Sequence, residues 1–149
     1  MNKMVKTKTT FKAEGMTLEV SGEYLDTVEG FPFEKNDRML RNKFRIRIKN
    51  IAMGKAFSVP FYGSQHDQEK GITELNREGL IGALDCIVSD GTYSDYSFEE
   101  FCREFDYDDD SRKAERIYRA MQKTSKAWKN IGISSDDLYL LSNAIQEEF

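Results

Sequence analysis

Imidazole and thiol are scarce in this 149-residue chain, which has one histidine, His66, and two cysteines, Cys86 and Cys102. Nucleophilic triads and multi-histidine metal centres need imidazole in a set constellation, so His66, alone in the polar stretch 63–71, reads as a surface residue. Neither Cys-x-x-Cys, nor Gly-x-x-x-x-Gly-Lys-Ser/Thr, nor Gly-x-Gly-x-x-Gly occurs. Zinc ribbons and nucleotide cradles lose their usual sequence support. No stretch approaches the ~20 apolar residues of a membrane helix, and the positive start through Lys8 has no apolar run behind it. Both cysteines fall where amphipathic helix is expected, so they read as free buried thiols in a reducing compartment, the cytoplasm. These absences point away from catalysis, metals, cofactors and membranes.

What the chain has is aromatic mass and charge. Ten Phe, seven Tyr and one Trp supply core and interface candidates, and 32% of residues are charged. A chain of this length fits one domain, 1–149, with enough surface to bury for a core of its own. The net charge of −4 hides two halves. Residues 1–63 carry 12 Lys and Arg against 7 Asp and Glu, or +5, while residues 64–149 carry 10 against 19, or −9. Such halves either attract each other in the fold or show a basic and an acidic face to a partner.

Periodicity gives the fold class. Val5, Thr7, Thr9 and Phe11 alternate with Lys6, Lys8, Thr10 and Lys12; a turn at Glu14-Gly15 and a run over 16–25 complete a hairpin. Residues 26–37 read as a loop that Phe31 and Phe33 anchor to the core. The clearest strand is 43–49, with Phe44, Ile46 and Ile48 on one face and Lys43, Arg45, Arg47 and Lys49 on the other. Residues 55–62 form a fourth strand, at an edge because Pro60 cannot donate a ladder hydrogen bond. From about Thr73 the period becomes helical, with Leu75, Leu80, Ala83, Leu84, Ile87 and Val88 in a stripe that 91–95 interrupts. Ser97-x-x-Glu100 is a capping box ahead of a short helix. A longer one follows Ser111, with a stripe of Ile117, Met121, Thr124 and Trp128, and a last helix starts at Ser134. The expectation is α+β: a sheet-rich basic part over 1–63 and a helical acidic part over 72–149.

Two surfaces are candidates for function. Arg45, Arg47 and Lys49, joined by Arg38, Arg41 and Lys43, stand about 6.6 Å apart along one strand face and can follow phosphates, with nearby Phe or Tyr to stack on bases; the plainer reading is a solvated face. Between 90 and 110, Glu99, Glu100, Asp106, Asp108, Asp109 and Asp110 combine with Tyr93, Tyr96 and Tyr107 as an acidic, aromatic surface able to enter a protein site built for phosphate; the plainer reading is core aromatics under a charged skin. Asp106, Asp108 and Asp110 match the first three ligand positions of an EF-hand loop, but Ser111 and Ile117 stand where glycine and a bidentate Glu are needed. Metal binding is therefore not expected.

The stretch Ser97-Phe98-Glu99-Glu100-Phe101-Cys102-Arg103-Glu104-Phe105-Asp106-Tyr107-Asp108-Asp109-Asp110-Ser111-Arg112-Lys113-Ala114-Glu115-Arg116-Ile117-Tyr118 resembles a signature of small proteins of tailed bacteriophages and prophages. With the Phe61-Tyr62-Gly63 turn and the helix at 80–89, the resemblance covers residues 57–128. Many such proteins have glycine where this chain has Asp106. The resemblance implies a phage accessory protein without catalytic residues, similar in general character to counter-defence proteins such as anti-CRISPR inhibitors. The function expected is inhibition of a host defence nuclease, a CRISPR effector or its ribonucleoprotein, by binding in the host cytoplasm. The alternative is a nucleic-acid-binding accessory of phage replication or transcription.

Overall fold

The computed structural model describes residues 6–63, 69 and 71–148; Val5 and His66 lie outside them. Four strands come first: β1 (Lys6–Ala13), β2 (Met16–Glu29), β3 (Leu40–Asn50) and β4 (Lys55–Tyr62). Each pairs antiparallel with the next, giving a four-stranded sheet in sequence order. Helices follow as α1 (Arg77–Thr92), α2 (Phe98–Glu104), α3 (Arg112–Asn130) and α4 (Ser135–Glu148). The architecture is α+β. By internal contacts the chain forms two compact units, 1–84 and 85–149.

In the first unit, period two decides which residues meet the core. Leu18 and Val20 on β2 and Phe44, Ile46 and Ile48 on β3 are buried, as are Leu75, Leu80, Ile81, Ala83 and Leu84. Gly22 lies in the same β2 row and makes room for them: a Cβ there would sit 2.9 Å from Leu80 Cδ2. Buried Asn42 is satisfied on both sides, accepting from Thr27 Oγ1 at 2.8 Å and donating through Nδ2 to the Ile72 carbonyl. An apolar residue at 42 would strand the Ile72 carbonyl, while the Thr27 hydroxyl would keep its 2.6 Å bond to the Tyr24 hydroxyl.

A bulge at Leu25 shifts the β2–β3 register. The shift lets β2 run on to Glu29, so the expected loop over 26–37 contracts to 30–39. Its ends are closed by Asp37, whose carboxylate accepts from the Phe31 and Met39 amides at 2.9 and 3.1 Å and from Arg41 Nε at 2.9 Å. Those bonds, the one to Arg41 above all, hold its pKa below the ordinary value. Gly30, with φ +75°, is essential to the closure, because a Cβ would fall 2.1 Å from the Asp37 carbonyl oxygen. Phe31 and Phe33 do not anchor this loop: they are 38% and 40% exposed. The carboxylate latch does the work expected of the two rings.

The second unit is built on capping and on one indole. Trp128 is fully buried and donates from Nε1 to the Ile87 carbonyl at 3.1 Å. Gly91, which the sequence offers as a helix breaker, lies inside α1. A Cβ there would come within 2.7 Å of Trp128 Cδ1 and 2.8 Å of Leu138 Cδ1, so the glycine admits close packing. Ser97, Ser111 and Ser134 cap α2, α3 and α4: their hydroxyls accept from the amides of Glu100, Ala114 and Asp137. Cys102 is buried as expected, but Cys86 is exposed, because position 86 falls on the outward side of α1.

The C-termini of α2 and α3 use the same turn. After α3, Ile133 N–H bonds the Trp128 carbonyl and Gly132 N–H the Lys129 carbonyl, with Gly132 left-handed at φ +84°. After α2, Tyr107 N–H bonds the Cys102 carbonyl and Asp106 N–H the Arg103 carbonyl, with Asp106 at φ +59°. Both are Schellman caps.

Candidate functional site

The basic candidate lies on the sheet face opposite the core. Register places Arg47 between Ser21 of β2 and Ser58 of β4, Arg45 between Glu23 and Pro60, Lys49 between Glu19 and Ala56, and Lys43 between Asp26 and Tyr62. Arg45 Nη1 reaches Glu23 at 3.6 Å, so part of the charge is compensated inside the sheet by the neighbouring strand. Arg47 is exposed and has no carboxylate directly opposite on either strand. Lys8 and Lys12 of β1 share this face, opposite Ser21 and Thr17. They were missed as site residues, although the alternation of the first strand carried the signal. On the β4 flank, Ala56, Ser58, Pro60 and Tyr62 add no charge.

One end of the face is aromatic. The Arg41 guanidinium lies 3.7 Å over the Phe31 ring, Phe31 meets Tyr62 edge-on at 6.3 Å, and Lys43 Nζ is 6.0 Å from the Tyr62 centroid. A guanidinium held at once by a ring and by the Asp37 carboxylate keeps its plane fixed. Arg38 is exposed in the loop and makes none of these contacts.

The acidic candidate is laid out along α2 and its flanking turns. Glu99, Glu100, Asp106, Asp108, Asp109 and Asp110 are all exposed. The three tyrosines expected on this surface are half-buried. Tyr93 packs edge-on against Tyr96 and Phe105 at 5.5 and 5.0 Å, and Tyr107 stacks on Phe101 at 5.9 Å. Tyr118 donates its hydroxyl to the Tyr96 carbonyl at 2.6 Å. Phe101, Cys102 and Ala114 are the buried centre of this cluster, with Tyr96, Phe98 and Tyr107 packed around it. The rings are half-buried supports, and the carboxylates are the outward groups.

The local field is acidic. Glu104, an acid absent from the expected set, is the first cause that raises the Tyr96 phenol above its ordinary value, followed by burial, Tyr93, Tyr139 and Glu100. Burial, then Asp109 and Asp108, raises the Cys102 thiol in the same way, which keeps it protonated and unreactive. Tyr96, Glu100, Arg103 and Glu104 line an open depression with no nucleophile paired to a base. Among the described residues no three His, Cys, Asp or Glu side chains converge to hold a metal ion, and no helix is long and apolar enough to cross a membrane.

The site residues therefore sort into two surfaces, one in each unit. Arg45, Arg47 and Lys49 share a face with Arg41 and Lys43 in 1–84; the six acids and three tyrosines share one segment in 85–149. Set against models of known protein families, curated proteins and solved structures, the chain matches none.

Proposed function

We propose that the protein works by binding, as a phage-encoded inhibitor whose acidic segment 99–110 occupies the nucleic-acid surface of a host defence nuclease, a CRISPR effector ribonucleoprotein in the host cytoplasm. The observation that carries this reading is that all seven carboxylates of residues 99–110, the six expected and Glu104, are exposed, on a backbone fixed by two serine caps, a Schellman turn and an aromatic cluster. Carboxylates presented without backbone freedom meet a basic channel at low ordering cost, and their field speeds encounter. The half-buried tyrosines act from beneath, holding the carboxylates in place.

The test adds purified protein to CRISPR effector ribonucleoproteins and follows target-DNA binding and cleavage. Inhibition is expected with the native chain, and reversal of Asp106, Asp108 and Asp110 to Lys should weaken it about 100-fold or more. Inhibition that survives the triple reversal assigns the wrong surface, and no inhibition of any effector ends the reading.

A second reading, a nucleic-acid-binding accessory of phage replication or transcription, is favoured by one specific observation. Arg47 is exposed on the open sheet face with serines, not carboxylates, as its cross-strand neighbours.

A further inference from the structure

We propose that the open face of the sheet is a track for one nucleic-acid strand, with phosphates along Arg47 and its neighbours on β3 and a base stacked at the Phe31–Tyr62 end. The inference rests on the second reading above and adds to it a strand type, a path and a base-contacting end.

The path follows from charge. Alternate β3 residues lie about 6.6 Å apart, comparable with the separation of successive phosphates in an extended strand. Glu19, Glu23 and Asp26 of β2 border one side of this row, and Arg45 is partly engaged by Glu23. The other side, Ala56, Ser58 and Pro60 of β4, is uncharged and low. A polyanion is disfavoured over the acids of β2 and admitted on the β4 flank, which favours a path along β3 and β4 over one that crosses β2 to Lys8 and Lys12 of β1.

The choice of a single strand follows from the aromatic end. Phe31 is 38% exposed, although its loop is tightly closed by the Asp37 latch. Phe33, in the same loop, is 40% exposed and held at φ +72°, a conformation costly for a bulky residue and kept only where the surroundings impose it. A latch that holds rings outward, with Arg41 fixed against one of them, offers a face on which an unpaired base stacks. Bases inside a duplex have no such face to offer. Stacking tolerates any base, so little sequence preference is expected.

The experiment is fluorescence anisotropy with the full chain and a labelled oligothymidylate of about twelve nucleotides, matched by an abasic strand of equal length and by polyglutamate. Saturable binding at low ionic strength is expected, with log affinity falling against log salt at a slope of about −2 for three phosphate contacts. Arg45→Glu with Arg47→Glu should reduce affinity for both strands tenfold or more. Phe31→Ala, and separately Tyr62→Leu, should weaken the oligothymidylate about tenfold and leave the abasic strand unchanged. Absence of binding at low salt, or indifference to the double reversal, overturns the inference and the reading beneath it. Equal affinity for abasic and thymidylate strands, with Phe31→Ala silent, overturns the stacking end and leaves a phosphate-binding face standing. Polyglutamate bound as tightly as the oligonucleotide overturns the assignment to nucleic acid.

Discussion

The two charged surfaces differ in what holds them. On the sheet Lys43, Arg45, Arg47 and Lys49 are placed by strand register, with paired backbone on both sides, so one side chain can change without moving its neighbours. In the helical unit the acids hang from caps and tight turns over a small aromatic cluster, and one of them, Asp106, occupies a left-handed position. Charge set by register is robust, whereas charge set by capping is tunable, because a single residue governs the turn that displays it.

The strongest way to break this contrast is to disturb the support in the second unit. Gly91→Ala drives a methyl group against Trp128 and Leu138 and should cost about 2–3 kcal/mol, read as a lower midpoint in chemical denaturation. If the loss is below about 0.5 kcal/mol, the indole is not closely packed on α1.

Next in size is a contrast between two aspartates. Burial raises the Asp90 carboxyl to about 6, so the native state holds its proton more tightly than the unfolded chain. Asp90 therefore costs nothing below pH ~4; stability falls as pH rises from about 4 to 6 and then levels off. Asp90→Asn should remove that slope and raise stability at neutral pH by about 1–2 kcal/mol. Asp37 has the opposite sign, since its depressed pKa gives stability present above the ordinary carboxylate range and lost as pH falls through the folded value. Amide exchange along an acid series should show protection of 30–39 falling below pH 4, and protection in 85–149 rising as pH drops from 6 to 4. Parallel behaviour of the two regions would contradict both assignments.

The smallest expected effect sharpens the comparison of the two Schellman caps. Asp106→Gly relieves a left-handed non-glycine residue and should stabilise by about 0.5–1 kcal/mol, while Gly132→Ala should destabilise by about 1 kcal/mol. Thermal midpoints moving in opposite directions support the shared turn; a fall in both would contradict it.

Much of this architecture was legible in the residues. Strand 43–49 was readable because three apolar residues alternating strictly with four basic ones leave one possible face assignment, and Ser97, Ser111 and Ser134 announced three helix starts. The bulge at Leu25 was not readable, since an extra residue erases period two where Asp26 and Glu29 already blur it. Phe31 and Phe33 misled because aromatic residues in a loop usually pack inward, and the latch that overrides this preference is a single carboxylate six residues from its first partner. Gly91 reads as a breaker because a glycine required by a neighbouring indole looks the same in sequence as one that ends a helix. For the acidic segment the residue types were readable, but their division into outward carboxylates and half-buried tyrosines needed three dimensions.

Trp128 is the only tryptophan in the chain, and it sits fully buried in 85–149 with its N–H bonded to the Ile87 carbonyl. Intrinsic indole emission is therefore a dye built into one unit and absent from the other. Excited at the red edge of absorption, where tyrosine is silent, the molecule reports the melting of the helical unit alone, while far-ultraviolet dichroism also sees the sheet. Coincident transitions by the two probes would mean that both units unfold together, and separated ones would measure their independence without any label.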